Sequence, residues 1–282
     1  MADLYIAVVI LIFVSAGALF LGEWLSRRLS PRDAGLLLMF SVLVLLAYEK
    51  LAADKLWIAR LLPFSNVVIL GNLFPPLVAF LSGLAWHRLP TLKIRKLILL
   101  IPLIILSWTG IAQLLFSSPP RMGNRWTRRV CLQTSESSCS AAAGATLLAA
   151  YGIPSTEHEM AELCLTRPAG TSMLGLYRGL KLKTNGTNLK PLPFTGLSID
   201  ELAKTATGPV LLSVELLPGE TLSEKYQQYG FGVGVRHSVV VFRFLPNNLV
   251  EVGDPATGRE RWSFDDLRVL WHGEAIRLVK RS

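Results

Sequence analysis

The sequence predicts an N-terminal all-α transmembrane bundle of about four spans, followed by an α+β domain with an antiparallel sheet. Two observations support this division. The chain has 282 residues, 51% of them hydrophobic, and a mean hydropathy of +0.43, which is high for one soluble domain. The long apolar runs all lie within residues 1–116, whereas the remainder has helix-like segments first and strand-like segments afterwards. We therefore expect a transmembrane helical region over residues 1–120 and a folded domain over residues 121–282.

Four apolar runs are long enough to be considered as membrane spans. They are Leu4–Gly22, Ala34–Tyr48, Val67–Trp86 and Leu97–Phe116. No basic residue precedes the first run, so we expect a retained span rather than a signal peptide. The second run is the shortest, and the third contains Asn72, for which we expect an interhelical hydrogen bond. Because the runs contain few polar side chains, we expect them to serve as an anchor or a docking surface rather than a transport path.

The formal net charge of +9 has a membrane explanation. Basic residues lie in short clusters beside the apolar runs, as in Arg27-Arg28, residues 93–96 and Arg128-Arg129. No strip of alternating basic and aromatic residues is present, so we expect the partner to be a lipid bilayer and not nucleic acid. The chain is accordingly expected to be a multi-pass integral membrane protein.

The loop charges bear on which side of the membrane the folded domain occupies. The loops after the first and third runs are rich in Lys and Arg, which favours the cytoplasm for both loops and the extracytoplasmic side for residues 121–282. The arginines at positions 121–129 favour the opposite placement, and we expect the extracytoplasmic one. In that oxidising setting Cys131 and Cys164 are able to form a disulfide while Cys139 stays free.

The folded domain begins with three expected helices. The first, Ser140–Tyr151, is rich in Ala and Leu and ends before Gly152. A second follows Pro154, with Ser155 or Thr156 as its cap, and a third covers Met173–Leu182.

From Val210 onward the apolar pattern becomes that of strands. The sequence predicts strands in "PVLLSVEL", "HSVVVFRFL", "LVEVGD", "ERWSF" and "AIRLVK", with a short helix over Asp265–Leu270. The second and third of these strands are separated only by "PNN", which predicts a hairpin.

Cys139 lies where the first of these helices begins. Unpaired N–H groups and the helix dipole stabilise a thiolate at such a position and lower the cysteine pKa, so Cys139 is a candidate nucleophile. The alternative is a small buried core residue, a common role for free cysteine. Gln133, six positions earlier, carries an amide donor of the kind that stabilises an oxyanion in acyl transfer.

A thiol nucleophile needs a base, and the chain has four histidines. His87 lies at a membrane boundary, His158 on a polar helix face and His272 in a late turn. His237 begins the strand "HSVVVF", and Asp254 ends its expected hairpin partner, so both fall near the same end of the hairpin. Asp254 is thus placed to orient the imidazole of His237.

Several further features accompany this order of Gln, Cys, His and Asp. They are the "AAAGATLLAAYGI" helix, "GTS" at 170–172, "HSVVV" from His237 and "DPATG" from Asp254. Over residues 131–278 this combination resembles papain-like cysteine peptidases. More closely, it is similar to cysteine-peptidase family 39, the bacteriocin-processing endopeptidases that remove double-glycine leaders.

The resemblance implies a papain-like α+β fold for residues 121–282 and a membrane-anchored cysteine endopeptidase. It implies that Cys139 is the nucleophile, His237 the base and acid, Asp254 the orienting residue and Gln133 the oxyanion donor. The implied substrate is a peptide or protein, such as a leader or an exported peptide, with a secretion or transport partner. The family usually has an acidic residue before its cysteine and glycine after it, whereas here both flanking residues are serine.

No G-x-x-x-x-G-K-[ST] phosphate loop is present, so no ATP is expected, nor any other cofactor or metal. Two other interpretations stay open. One is a catalytically idle peptidase-like module that binds a peptide or a secretion partner, and the other is a structural membrane protein with an incidental domain. Retention of Cys139, His237, Asp254 and Gln133 together favours the peptidase.

Overall fold

The computed structural model of the chain describes residues 1–89, 91–221 and 232–281. It divides into two compact units. The first consists of Met1–Ile58 and Asn66–Ser117, and the second of Ala59–Ser65 and Ser118–Ser282. The expected order of an all-α N-terminal bundle followed by an α+β papain-like domain with an antiparallel sheet is confirmed.

In its described part the first unit contains helices and no strands. The helices of residues 1–117 are α1 (Ala2–Arg28), α2 (Pro31–Leu51), α3 (Ile58–Leu61), α4 (Val67–Leu70), α5 (Phe74–Trp86) and α6 (Lys93–Phe116), and all of α3 except Ile58 belongs to the second unit. Four segments are long and apolar enough to cross a membrane, in agreement with the four expected runs. The second is longer than its apolar run, since Pro31 starts the helix and the Ser30 hydroxyl accepts a hydrogen bond from the Asp33 amide at 3.2 Å.

The third span is interrupted between α4 and α5. Tyr48 of α2 satisfies the backbone there, because its hydroxyl donates to the Gly71 carbonyl at 2.7 Å and accepts from the Leu73 amide at 3.0 Å. The Asn72 side chain accepts a hydrogen bond from the Phe74 amide at 3.2 Å, at the start of α5. The expectation of an interhelical bond for Asn72 was therefore wrong. A break in a helix leaves backbone N–H and C=O groups without partners, which is costly in lipid. The Asn72 side chain therefore forms its hydrogen bond with a nearby backbone amide at the break.

Helices α1 and α5 pack backbone against backbone at two glycines. A Cβ added to Gly22 would collide with the Phe80 carbonyl oxygen, and one added to Gly83 would collide with the Leu19 carbonyl oxygen. Small residues at such a crossing allow dispersion contacts along the whole pair, which matters in lipid because the hydrophobic effect there does not drive helices together.

The described residues of the second unit contain five further helices. They are α7 (Cys139–Ala150), α8 (Glu157–Leu163), α9 (Met173–Lys183), α10 (Ile199–Thr205) and α11 (Phe264–Leu270). Residues 140–148 of α7 are buried throughout. The run of small residues permits this, since a Cβ on Gly144 would lie only 2.8 Å from Cε of Met160. Helix α7 is thus the central helix of the unit, packed on α8, α9 and the sheet.

The strands form a two-stranded ribbon and a six-stranded antiparallel sheet. The strands are β1 (Arg125–Thr127), β2 (Val130–Leu132), β3 (Leu189–Phe194), β4 (Val210–Val214), β5 (His237–Leu245), β6 (Leu249–Asp254), β7 (Gly258–Ser263) and β8 (Trp271–Lys280). The large sheet has the order β3-β8-β4-β5-β6-β7, and β1 pairs with β2. The expected β5–β6 hairpin is confirmed, with Asn247 and Asn248 at positive φ in its turn.

The sequence analysis omitted β1, β2, β3 and α10. Strand β3 contains Pro191 and Pro193, which argue against a strand, and it is tolerated because it lies at the edge of the sheet. Strands β1 and β2 are too short to show alternation, and their turn has no Asn-Gly signal. The placement of His272 in a turn was also wrong, because β8 already begins at Trp271.

The glycine crossing of α1 and α5 leads to a stability prediction. Gly22→Ala should lower the unfolding free energy in detergent by about 1–3 kcal/mol, because the added methyl forces the two backbones apart. Gly17→Ala is the matched control on the same helix, since a Cβ there meets nothing within 4 Å. Thermal unfolding followed by circular dichroism measures both, and equal melting temperatures for the two variants would contradict the assigned crossing.

Candidate active site

The β5–β6 hairpin places His237 and Asp254 together. Its register pairs Val240 with Gly253, and continuing it places Asp254 opposite Val239, two residues from His237. Directly opposite residues and alternate residues of a strand share one face of the sheet, so both side chains point the same way. The Nε2 atom of His237 lies 2.7 Å from Oδ1 of Asp254, and their side chains are only 15% and 4% exposed.

The turn after β6 fixes the carboxylate of Asp254. Its Oδ1 atom also accepts a hydrogen bond from the Ala256 amide at 2.7 Å, an arrangement typical of an Asp-Pro turn. Gly258, which begins β7, has a φ of +103°, a conformation that favours glycine. The "DPATG" stretch is therefore a rigid corner that aims one carboxylate oxygen at the imidazole.

The serine-rich loop before α7 is held by its own hydroxyl groups. Ser138, which is fully buried, donates its hydroxyl to the Ser135 carbonyl at 2.8 Å and accepts from the Ser135 amide at 3.1 Å. Its side chain makes no capping bond to α7. Because Cys139 is the first residue of α7, its thiol lies beside backbone N–H groups that have no partner within the helix.

A buried pair of hydroxyls joins the first turn of α7 to β5. The Oγ atoms of Ser140 and Ser238 are 2.8 Å apart, and each of these residues follows a candidate catalytic residue in the chain. The Cys139 thiol and the His237 imidazole also lie within interaction range, because each shifts the pKa of the other by hydrogen bonding and charge attraction.

The surroundings of Cys139 and His237 favour the charged forms of both groups, the thiolate and the imidazolium. Burial disfavours the thiolate, but the hydrogen bond and charge of His237, with smaller contributions from Ser140 and the Ser238 backbone, hold the pKa of Cys139 below its usual value. Burial likewise disfavours the imidazolium, but hydrogen bonds to Asp254 and Cys139 raise the pKa of His237 to about 10. Partner charges therefore outweigh desolvation at both groups.

Gln133 lies at the same corner as Asp254. Its backbone amide donates to the Pro255 carbonyl at 2.8 Å, while its side-chain Nε2 is 3.4 Å from the Ser135 carbonyl oxygen. Its Oε1 atom is buried and has no hydrogen-bond partner in the part of the chain that the structure describes. The structure thus brings His237 into direct contact with Asp254, places Cys139 within interaction range of His237, and tethers Gln133 by its backbone to the residue after Asp254.

Glu157 of α8 is hydrogen-bonded to Thr134, the residue after Gln133. It is completely buried, and its carboxylate accepts from the Thr134 amide at 2.7 Å and from the Thr134 hydroxyl at 2.8 Å. This contact was not expected from the sequence, and neither was the pair of Ser140 and Ser238. An acidic residue at a helix start is too common to be a signal.

The other two cysteines are free thiols in different surroundings. Cys131 of β2 donates its amide to the Thr146 hydroxyl of α7, and the Cys164 thiol lies beneath Gly179 of α9. The disulfide considered from the sequence is thus not formed. Burial raises the pKa of each of these thiols to about 12. Both are structural thiols of low reactivity.

The three environments predict selective labelling. Iodoacetamide at mildly acidic pH should modify Cys139 well before Cys131 or Cys164, because only Cys139 has a lowered pKa and an imidazolium partner. His237→Ala should move this labelling toward alkaline pH, since the group that holds the thiolate is lost. Peptide mass mapping against time provides the measurement. Faster labelling of Cys164 would overturn the assignment of the reactive thiol.

One family model matches part of the folded domain. Residues 127–209 match the model of the Peptidase C39 family, a range that contains Gln133 and Cys139 and ends before His237 and Asp254. No curated protein matches the chain.

Solved structures similar to the chain include a double glycine motif protease from an AMS/PCAT transporter in complex with the leader peptide (16% identity over 58% of this chain and 97% of that one, TM-score 0.43). The peptidase domain of Streptococcus ComA, a bi-functional ABC transporter involved in quorum sensing, is 21% identical over 53% of this chain and 96% of that one, with a TM-score of 0.41. The peptidase domain of Streptococcus mutans ComA is 22% identical over 54% and 98%, with a TM-score of 0.36. The family resemblance inferred from the sequence is confirmed over residues 127–209, which match the Peptidase C39 family model.

Proposed function

We propose that this protein is a membrane-anchored cysteine endopeptidase with Cys139 as nucleophile, His237 as general base and acid, Asp254 as orienting residue and Gln133 as oxyanion donor. The proposal is supported by the 2.7 Å contact between Oδ1 of Asp254 and Nε2 of His237, together with the effect of His237 on the pKa of the Cys139 thiol. A core cysteine needs no partner of this kind.

In the acylation step, the Cys139 thiolate attacks the scissile carbonyl carbon. The carbon–nitrogen bond then breaks, and the amine leaves with the proton that His237 carried, so Cys139 is left as a thioester. In the second step His237 takes a proton from water as the water attacks the thioester. The new carboxylate departs and the thiolate and imidazolium are restored. Asp254 keeps the ring in the orientation that both transfers require.

The negative charge that develops on the carbonyl oxygen needs donors. The amide N–H groups in the first turn of α7 are suitable, because Ser138 uses its hydroxyl on the loop and does not cap the helix. The carboxamide of Gln133 supplies the second donor in this proposal. Its 3.4 Å contact with Ser135 is long enough to exchange for a substrate oxygen at little cost.

For the substrate, we propose a leader or exported peptide cleaved after a double glycine. Two of the similar structures are a double glycine motif protease from an AMS/PCAT transporter in complex with the leader peptide, and the peptidase domain of an ABC transporter. On the same basis we propose a transport partner that receives the processed peptide. The four apolar helices are the proposed anchor for the peptidase in the bilayer.

We also propose that the peptidase domain lies on the extracytoplasmic side. Basic residues after the first and third spans hold those loops in the cytoplasm, and an even number of spans then returns the chain to the outer side. A reporter that is active only outside the cytoplasm, fused after Ser282, should therefore be active. An inactive reporter there, together with an active cytoplasmic reporter, would place the peptidase domain in the cytoplasm. It would leave the proposed catalytic roles unchanged.

Single substitutions test the assigned roles. Cys139→Ala and His237→Ala should each abolish cleavage of a double-glycine leader peptide by the detergent-solubilised protein. Asp254→Asn and Gln133→Ala should leave residual activity, the latter reduced ~10²–10³-fold, as expected for loss of one oxyanion donor. Activity should fall at acidic pH as the thiolate is protonated and at alkaline pH as His237, with a pKa of about 10, loses its proton.

His158→Ala is the matched control, because that histidine lies on α8 with a half-exposed side chain paired to Glu162. It should cleave at the unaltered rate. Cleavage by the Cys139→Ala protein would exclude the mechanism. Tight binding of the leader peptide with no cleavage by the unmodified protein would instead indicate an idle peptide-binding module.

A further inference from the structure

The β1–β2 ribbon carries a cluster of exposed cations that the proposed chemistry does not use. We name it the basic ribbon and define it as Arg121, Arg125, Trp126, Arg128 and Arg129, all of which are exposed. Residues 97–135 contain no Asp or Glu, so nothing in the same stretch of chain neutralises the four arginines. None of them forms an ion pair with an acidic side chain within residues 1–89, 91–221 and 232–281.

The turn of the ribbon is unusual in composition. Thr127 pairs with Val130, which leaves Arg128 and Arg129 as the two turn residues, with φ angles of 44° and 68°. Asn and Gly are the residues that adopt this conformation with least strain, and a branched or long side chain adopts it at a cost. Strain of this kind is kept where the side chains themselves are needed. Here the turn presents two guanidinium groups at the tip of the ribbon.

Packing of the domain core does not explain why Arg128 and Arg129 occupy this turn. The only described contact of Arg128 in the domain is made by its backbone carbonyl, which accepts from Nη1 of Arg259 at 3.4 Å. Both side chains are exposed, and no buried acidic group faces them in the described structure. Their number and their lack of counter-charges favour an anionic surface outside the chain as the partner.

The short link between α6 and the basic ribbon indicates which kind of anion the ribbon binds. Helix α6 ends at Phe116, and only residues 117–120 separate it from Arg121. A chain of this length spans at most ~15 Å when extended, so the first arginine stays close to the headgroups at the end of the span. Trp126 is 38% exposed and is the aromatic type that is enriched at the membrane interface.

We propose that the basic ribbon docks on anionic phospholipid headgroups beside the end of α6. Clusters of four or more Lys or Arg next to a spanning helix bind anionic lipid by charge attraction, and an interfacial Trp adds an apolar contact. Because β2 leads through Leu132 to Gln133, the docked ribbon sets the height of the candidate active site above the bilayer. An acidic peptide is the rival partner, and proximity to the span favours the lipid.

Hydrogen exchange on the full chain tests the docking and requires no peptidase activity. The protein is placed in nanodiscs of phosphatidylcholine alone and in nanodiscs that also contain phosphatidylglycerol. Exchange of the amides of residues 124–132 is then followed by mass spectrometry. We expect several-fold slower exchange in the anionic nanodiscs, and loss of this difference in high salt, which screens the attraction.

A double variant separates lipid binding from folding of the ribbon. Arg128→Asn combined with Arg129→Gly removes two charges and suits the turn better than the original pair, so the ribbon should stay folded. It should nevertheless lose most of the slowing caused by phosphatidylglycerol. Lys204→Gln combined with Lys280→Gln removes two exposed charges elsewhere and should keep it.

Two results would overturn the proposal. One is equal exchange of these amides in the two kinds of nanodisc. The other is hydrogen exchange of these amides that is slowed by an acidic peptide added in neutral detergent but not by phosphatidylglycerol. That result would assign the ribbon to a peptide partner. Because peptide cleavage is not measured, failure of the proposed peptidase activity leaves this test unaffected.

Discussion

The candidate active site depends on one contact, the junction of the first turn of α7 with the beginning of β5. The hydroxyls of Ser140 and Ser238 meet there at 2.8 Å, inside the protein. The residue before each serine is a candidate catalytic residue, so the bond fixes the two chain segments that carry Cys139 and His237 next to each other. Two buried hydroxyls that satisfy one another cost little, whereas a single one left unpaired would be unfavourable.

The surrounding contacts fix the remaining members of the site. The Asp-Pro turn after β6 directs one oxygen of Asp254 to His237 and one carbonyl to the backbone of Gln133. Glu157 then holds Thr134, so the loop that carries Gln133 is tied at both ends. Each of these contacts joins two elements that are distant in sequence. A site assembled in this way loses its geometry if the packing of α7 on the sheet is disturbed.

The electrostatic balance of the site follows from the same packing. Burial by itself would keep both the thiol and the imidazole neutral, since desolvation disfavours any charge. Here each charged group is paired, and Asp254 extends the pair with a carboxylate that is itself hydrogen-bonded to a backbone amide. The result is a lowered pKa for Cys139 and a raised pKa for His237. The two other cysteines are buried without such a partner, and their pKa values are raised.

Much of the site could be predicted from the sequence because its geometry is local. The three-residue link "PNN" makes β5 and β6 a hairpin and so brings His237 and Asp254 to the same end of it, whereas the register shift between Val241 and Arg243, which puts both side chains on one face, has no signal in the sequence. A run of small residues after Cys139 predicts a buried helix starting there. The spans are predictable because apolar length is a direct requirement of the bilayer.

The remaining features depend on tertiary contacts that leave no local pattern. Ser140 and Ser238 are separated by 98 positions, and Glu157 reaches back to Thr134 across 23. The prolines of β3 argue against a strand and are tolerated only at a sheet edge, which the sequence does not reveal. The break in the third span is stabilised by Tyr48 from another helix. None of these partners can be paired without the fold.

The central claim is that Cys139 becomes acylated during peptide cleavage. Mixing the full protein with a double-glycine leader peptide, quenching with acid within the first turnover and mapping peptides by mass spectrometry tests it directly. We expect a thioester between the leader fragment and Cys139 that is removed by hydroxylamine. Cleavage of the peptide with no adduct on Cys139, or with the adduct on Cys131 or Cys164, would contradict it.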